Sequence, residues 1–120
     1  MKTILVADDK ATGRELVRTV LEKAGFKVIE ASDGLEAVRS AKESQPDLII
    51  LDLHMPGLDG FGVIQELRRD LHFERTPIMA LTASAMQGDR ERAMSVGFTG
   101  YITKPIRLGA LRGEVERLLK

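Results

Sequence analysis

The sequence has 120 residues, of which 43% are hydrophobic and 30% are charged; this balance is typical of one globular domain and argues against an intrinsically disordered chain. Lysine plus arginine and aspartate plus glutamate both number 18, so no basic excess indicates binding to nucleic acid or to an anionic membrane. Cysteine is absent, which excludes a disulfide scaffold and a cysteine-based metal site.

Five short runs of mainly apolar residues predict five β-strands. In most of them the apolar residues are continuous rather than alternating with polar ones, which is typical of strands that are covered on both faces. In chain order, the predicted strands are 3–7, 27–31, 48–51, 78–81 and 100–102.

A segment with helical spacing of its apolar residues follows each of these runs. Asp33 and Glu36 have the spacing of a capping box at the start of the second helix, and Gly25 and Gly97 are typical stop signals after the first and fourth helices. In chain order, the predicted helices contain 16–24, the segment from Asp33 to Gln45-Pro46, 61–67, about 86–95 and 108–119.

Polar residues follow four of the five predicted strands. Asp8 and Asp9 follow the first strand, Asp52 the third, Thr82 the fourth and Lys104 the fifth. The alternation of strand and helix predicts a parallel sheet with helices on both faces. Because open sheets of this kind bind ligands outside the carboxyl ends of their strands, we expect these five side chains to form one site.

The chemistry of this set is that of a metal-dependent phosphoryl site. Three carboxylates in a small volume repel one another, and a divalent cation would relieve the repulsion. Oxygen ligands suit Mg²⁺, and a carboxylate can act as a nucleophile that forms an aspartyl-phosphate. Lys104 and the cation would neutralise charge on the phosphoryl oxygens, and Thr82 would donate a hydrogen bond.

Each residue also has an ordinary structural explanation. Asp8 and Asp9 could cap the first helix, Asp52 could open a turn, Thr82 could cap the fourth helix and Lys104 could be a solvated loop residue. The joint occurrence of all five at strand ends favours the functional interpretation.

Several motifs together resemble the receiver domain of bacterial two-component response regulators, of the single-domain chemotaxis-regulator type. The resemblance covers the whole chain, and we expect one domain over residues 1–120. Its motifs are Val6-Ala7-Asp8-Asp9, Asp47 to Asp52, Met55-Pro56-Gly57-Leu58-Asp59-Gly60, Leu81-Thr82-Ala83 and Lys104-Pro105.

The resemblance implies a flavodoxin-like, doubly wound α/β fold with five parallel strands in the order 2-1-3-4-5. It implies that Asp52 accepts a phosphoryl group from a histidine of a sensor kinase or phosphotransfer protein. The implied Mg²⁺ ligands are Asp9, Asp52 and the backbone carbonyl of His54, with Asp8 acting largely through a metal-bound water.

The same resemblance implies how the signal leaves the site. Lys104 would contact the phosphoryl group, Thr82 would be the switch hydroxyl and Tyr101 the switch aromatic residue. The fourth helix, fifth strand and fifth helix would form the surface for a downstream protein, in a monomer or weak dimer. The peptide bond before Pro105 would be cis.

The histidine two residues after Asp52 allows more than one interpretation. The imidazole of His54 could be a general base or a metal ligand; we favour the backbone role because Mg²⁺ prefers oxygen. In the family, this position and Ser84 often set how quickly water attacks the acyl phosphate. Lys10 departs from the acidic or polar residue found in many relatives, and residues 71–75 predict a long loop.

The sequence also allows other functions. The chain could be an aspartyl-nucleophile phosphohydrolase, a binding module independent of phosphorylation, or a receiver fragment of a larger regulator or hybrid kinase. No apolar stretch reaches membrane-spanning length and the N-terminus lacks a signal-peptide pattern, so we expect a cytoplasmic protein. As a phosphorylation-controlled signalling switch it would not be an enzyme with a diffusible substrate, although it would catalyse its own phosphoryl transfer and dephosphorylation.

Overall fold

The computed structural model describes residues 1–83 and 88–120. Within these residues five strands alternate with five α-helices, and the predicted strand positions are confirmed. The strands are β1 Thr3–Ala7, β2 Lys27–Ala31, β3 Leu48–Asp52, β4 Ile78–Thr82 and β5 Gly100–Thr103. The helices are α1 Ala11–Lys23, α2 Gly34–Ser44, α3 Gly60–Arg68, α4 Asp89–Ser95 and α5 Leu108–Leu118.

The five strands form one parallel sheet in the order β2-β1-β3-β4-β5. This confirms the predicted flavodoxin-like, doubly wound α/β fold. The register pairs Ala7 of β1 with Leu51 of β3, and Asp52 of β3 with Leu81 of β4. The carboxyl ends of the central strands therefore stop at nearly the same level, which brings the residues that follow them to one edge.

Both faces of the sheet are covered, as the continuous apolar runs predict. Every residue of β3 and β4 is buried. Ile49 and Leu51 pack on one side with α2, α3 and α4, whereas Leu48 and Ile50 pack on the other side with α1 and α5. This double burial holds the central strands, and hence their polar ends, in a rigid frame.

Local signals define the ends of several helices. The Asp33 carboxylate accepts the backbone N–H of Glu36 at 2.8 Å, and the Glu36 carboxylate accepts the backbone N–H of Ser32 at 2.6 Å. The predicted cap of α2 is therefore present, although the returning bond reaches the residue before the cap. The Asp59 carboxylate caps α3 through the N–H of Gly62 at 2.9 Å.

Two parts of the chain differ from the prediction or extend beyond it. The described part of α4 begins at Asp89, with Gly88 as its N-cap at φ +96°; residues 86 and 87 of the predicted helix lie outside the described residues. The loop predicted at 71–75 contains a short 3₁₀ helix, Leu71–Phe73, capped by Asp70. Its last residue, Phe73, lies in the core, where it is 2% exposed. None of the described helices is long and apolar enough to cross a bilayer.

Candidate functional site

The predicted site residues from β1, β3 and β5 meet at the carboxyl edge of the sheet. The Lys104 Nζ donates hydrogen bonds to Asp8 Oδ2 at 3.0 Å and to Asp52 Oδ2 at 2.9 Å. Asp8 is 1% exposed and Asp52 is 4% exposed. Such deeply buried carboxylates need a cationic partner, and Lys104 supplies it.

Asp52 is held as the last residue of β3. Its Oδ1 accepts the backbone N–H of His54 at 2.9 Å, so both carboxylate oxygens are engaged. Gly60 lets α3 start directly against this turn, since a Cβ at position 60 would lie 2.6 Å from the Asp52 carbonyl oxygen. Gly60 belongs to the motif that carries the family resemblance, but its close approach behind Asp52 is visible only in the fold.

Asp8 is held at the end of β1. Its Oδ1 accepts the backbone N–H of Lys10 at 3.0 Å. Lys10 is the N-cap residue of α1 and makes no side-chain cap hydrogen bond, so the acidic pair does not serve as an ordinary helix cap. Gly13 also contributes to the site, because a Cβ at this position would lie 2.8 Å from Asp8 Oδ2. No pattern in the sequence indicates this role of Gly13.

Thr82 ends β4 and is fully buried. Its backbone carbonyl accepts the N–H of Lys104 at 2.7 Å, which ties the β4 end to the loop that carries the ammonium. Since Gly88 is the N-cap of the described α4, Thr82 does not cap that helix. The Lys104–Pro105 peptide is cis, as expected.

The remaining residues proposed for regulation lie around this core of the site. Tyr101 on β5 is half-buried against the α2–α4 side of the core, and burial is the main cause that raises the pKa of its hydroxyl. The His54 side chain is exposed. Ser84 lies outside the described residues, so its predicted influence on water attack stays a prediction.

The charges of the central triad perturb one another. Burial acts to raise the pKa of Asp8, but the Lys10 N–H and the Lys104 ammonium outweigh it, so that pKa lies below its ordinary value. Burial raises the pKa of Asp52 above its ordinary value against the opposing effect of Lys104. For Lys104, burial acts to lower the pKa, but hydrogen bonds to the two carboxylates raise it. The Asp52 anion is therefore the less stabilised of the two.

Asp9 completes a group of ligands that fits a divalent cation. Asp8, Asp9 and Asp52 each offer one carboxylate oxygen, and these oxygens lie within 4.8 Å of one another. Three carboxylates face one ammonium, so a cation would offset the excess negative charge. An all-oxygen group suits Mg²⁺ in particular.

Comparison with known proteins agrees with this geometry. The family model described as "Response regulator receiver domain" matches residues 4–116. The chain belongs to this family. Receiver domains act in two-component signalling, where they accept a phosphoryl group. Family membership favours the signalling function over the phosphohydrolase alternative.

Individual relatives include whole receiver proteins and parts of larger ones. The receiver domain resembles chemotaxis protein CheY4 of Vibrio cholerae with a TM-score of 0.94 and 33% identity, covering 99% of both chains. It resembles the receiver domain of a Pseudomonas aeruginosa sensor histidine kinase with a TM-score of 0.90 and 35% identity, covering 98% of this chain and 97% of that chain. That structure has a magnesium ion coordinated in its active-site cleft.

The similarity to a transcriptional regulator is only partial in length. The receiver domain is 41% identical over 117 residues to the probable transcriptional regulator ycf27 of Porphyridium aerugineum. The match covers 98% of this chain but 48% of that protein.

Proposed function

We propose that residues 1–120 act as one receiver domain in which Asp52 accepts a phosphoryl group from a histidine of a sensor kinase or phosphotransfer protein. The observation that carries the proposal is the contact of the Lys104 ammonium with the buried Asp52 carboxylate, 2.9 Å apart at the end of β3. A buried nucleophile next to a fixed positive charge is suited to attack an anionic phosphoryl group.

In the proposed transfer, an Asp52 carboxylate oxygen attacks the phosphorus of the phosphohistidine. The new bond is the P–O bond of an acyl phosphate, and the broken bond is the P–N bond, whose electron pair stays on the imidazole nitrogen. Lys104 would shift from the Asp52 oxygen to an oxygen of the incoming phosphoryl group. Thr82, at the end of β4, would donate its hydroxyl hydrogen to another phosphoryl oxygen.

Asp8, Asp9, Asp52 and the backbone carbonyl of His54 would hold Mg²⁺. The carboxylate part of this group is supported by the oxygens within 4.8 Å of one another. When bound, the cation would neutralise negative charge on the phosphoryl oxygens. Asp8 would act largely through a metal-bound water, as the family resemblance implies.

The phosphorylated state would end by hydrolysis within the same site. Water would attack phosphorus, the P–O bond to Asp52 would break, and inorganic phosphate would leave. The receiver domain would thus catalyse its own phosphorylation and dephosphorylation without turning over a diffusible substrate. His54 is exposed next to Asp52, where its side chain would influence how water reaches the acyl phosphate.

The proposed output is an altered surface for a protein partner. Tyr101 lies on β5, which pairs with the strand that ends in Thr82. Its side chain packs on the α4 side of the core and its N–H donates to Glu114 of α5, so a change at the site would reach α4, β5 and α5. We place this signalling in the cytoplasm, where sensor kinases present their phosphohistidine. The domain would act alone, as a monomer or weak dimer, or as part of a larger regulator or hybrid kinase.

Phosphorylation with acetyl phosphate and Mg²⁺, followed by intact mass, tests the site assignment. We expect one phosphoryl adduct that is stable in acid, labile in base and absent in Asp52→Asn. The matched control is Asp59→Asn, which changes a nearby exposed aspartate and keeps a side chain able to cap α3. Equal labelling of Asp52→Asn and the wild type would place the nucleophile elsewhere.

A further inference from the structure

The side chain of Arg14 connects the acidic turn after β1 to strand β2. Its Nη1 donates a hydrogen bond to the backbone carbonyl oxygen of Asp8 at 2.7 Å. Its Nε donates to Glu30 Oε1 at 3.2 Å. The Arg14 side chain is 17% exposed, so these bonds are partly shielded from water, and the planar guanidinium can hold both partners at fixed positions.

The carbonyl that Arg14 contacts belongs to the peptide unit between Asp8 and Asp9. Because a peptide unit is planar, fixing its oxygen also fixes the direction of the Asp9 N–H and Cα. Asp8 has further restraints: its N–H donates to the carbonyl of Ala31 at 3.2 Å, and its carboxylate accepts from Lys104. Asp9 is exposed, so the orientation of this peptide determines the direction in which the Asp9 side chain leaves the backbone.

Glu30 holds the guanidinium in place from the opposite side. Glu30 lies on β2, whose register with β1 pairs it with Val6. It also accepts a hydrogen bond from Arg18 Nη1 at 2.7 Å. The Glu30 carboxylate thereby offsets the positive charge of Arg14, which would otherwise repel a cation bound near Asp8 and Asp9.

We propose that Arg14 is a positioning residue for the divalent-cation site, acting through the Asp8–Asp9 peptide to aim the Asp9 carboxylate. This inference rests on the proposed Mg²⁺ site. It is distinct from an electrostatic role, because the two roles predict effects of opposite sign. Loss of the Arg14 charge alone would tighten cation binding, whereas loss of its hydrogen bond to Asp8 would weaken it.

Arg14→Met and Arg18→Met form a matched pair of variants. Each removes one positive charge and one partner of Glu30, but only Arg14 contacts the Asp8 carbonyl. Binding of Mg²⁺ and of Ca²⁺ is measured for both by calorimetric titration of the unphosphorylated protein. We expect the Mg²⁺ dissociation constant of Arg14→Met to rise about tenfold, as is typical when a residue that orients a metal ligand is removed.

Ca²⁺ provides the readout that a merely structural role would not change. Mg²⁺ demands near-ideal octahedral geometry, whereas Ca²⁺ accepts irregular coordination. A wrongly oriented Asp9 carboxylate should therefore weaken the binding of Mg²⁺ more than the binding of Ca²⁺, and the preference for Mg²⁺ should fall in Arg14→Met. Arg14→Lys keeps the charge without the planar fork, so it should also bind Mg²⁺ more weakly than the wild type.

Folding and the underlying site are controlled separately. Urea unfolding without metal shows whether each variant is folded. If Arg14→Met does not fold, Glu30→Gln serves instead: it keeps Arg14 but weakens the contact that holds its guanidinium, so it should still lower the preference for Mg²⁺ over Ca²⁺. Asp9→Ala is the control for the metal site itself and should lose Mg²⁺ binding. If it does, three results for the Arg14 variants would overturn the inference alone: Mg²⁺ affinity equal to that of the wild type, Mg²⁺ affinity higher than that of the wild type, or an equal loss of affinity for Mg²⁺ and Ca²⁺. Equal weakening in Arg18→Met would also overturn it. A wild-type protein that does not bind Mg²⁺ would overturn the proposed metal site and this inference together.

Discussion

Lys104 is the cationic residue that pairs with the two buried carboxylates of the site. It donates to the buried Asp8 and Asp52 carboxylates at 3.0 and 2.9 Å. Replacing it with glutamine leaves two buried carboxylates without a cation, which should lower the free energy of unfolding by about 3 kcal/mol at neutral pH without metal. Mg²⁺ should restore more stability in this variant than it adds to the wild type, since Lys104 no longer competes for the carboxylates.

Urea unfolding with and without Mg²⁺ measures both parts of the Lys104 prediction. Lys27→Gln is the matched control, because Lys27 is an exposed lysine at the start of β2. A Lys104→Gln variant as stable as Lys27→Gln in the absence of metal would contradict the pairing of Lys104 with Asp8 and Asp52.

Two glycines within helices offer a sharp comparison of packing with helix propensity. Alanine is favoured over glycine by about 1 kcal/mol inside a helix. A Cβ at position 113 in α5 meets nothing within 4 Å, so Gly113→Ala should raise the free energy of unfolding by about that amount. A Cβ at position 13 in α1 would lie 2.8 Å from Asp8 Oδ2, so Gly13→Ala should gain less or lose stability, and it should weaken Mg²⁺ binding.

Chemical denaturation of the two glycine variants, with a Mg²⁺ titration of each, tests this contrast. If Gly13→Ala is stabilised as much as Gly113→Ala and its Mg²⁺ affinity is unchanged, the prediction is wrong, because the Asp8 side chain then moves away from the added methyl group without loss of stability.

At the scale of elements, Glu114 links α5 to β5. Its Oε1 accepts from Arg117 Nε at 2.6 Å, and its Oε2 accepts the N–H of Tyr101 at 3.3 Å. The hydrogen bond from Arg117 is the main cause that lowers the pKa of Glu114 below its ordinary value of 4.5. A carboxylate with a lowered pKa in the folded state stabilises the fold above its unfolded pKa, and that contribution disappears as the pH falls through the folded value.

Glu114→Gln should therefore be less stable than the wild type at pH 7. The free energy of unfolding should fall by only about 1 kcal/mol, because Arg117 is largely exposed and the solvent screens its ion pair. The difference should shrink as the pH falls below 4.5. Thermal or urea unfolding at pH 7 and pH 3.5 measures it, with Glu116→Gln, an exposed neighbour on the same helix, as control. A difference that stays constant or grows toward acid pH would contradict this assignment.

At the scale of the whole molecule, the question is how a phosphoryl group at Asp52 reaches the α4–β5–α5 surface. Thr82 at the end of β4 lies in register with Thr103 of β5, and Tyr101 precedes that residue by two on the same strand. A hydrogen bond that Thr82 makes only in the phosphorylated state can shift a pre-existing equilibrium by no more than its own energy. A hydrogen bond to a charged group contributes about 1.5–3 kcal/mol, which corresponds to a roughly ten- to hundredfold shift in the populations of the two states.

Thr82→Ala should therefore still accept a phosphoryl group on Asp52 but respond weakly. Amide chemical shifts of β5 and α5, recorded with and without beryllofluoride as a phosphoryl mimic, measure the response. Thr103→Ala is the matched control, since Thr103 is the exposed partner of Thr82 in the sheet register. A full response in Thr82→Ala would refute this coupling even if Asp52 is the phosphorylation site.

The strands and the residues at their ends could be predicted from the sequence because the signals are local. Continuous apolar runs such as 48–51 identify buried strands, and the residue after such a run must stand at a strand end. Asp33 and Glu36 likewise predicted the start of α2, since a helix cap involves only neighbouring residues. The position of Asp52 at the site thus followed from a few residues on either side of it.

The strand order and the distant contacts were decided only by the tertiary structure. The alternation of strand and helix allows several strand orders, and the order 2-1-3-4-5 was expected from the family resemblance alone. The bridge from Lys104 to Asp8 joins residues 96 positions apart, and Arg14 meets Glu30 because α1 packs beside β2. Arg68 shows the same limit, since it donates to the carbonyls of Phe73, Thr76 and Gly97 and so joins α3 to segments before β4 and after α4. A local pattern determines backbone form and burial, whereas the partners of a long polar side chain depend on which elements pack together and in what register.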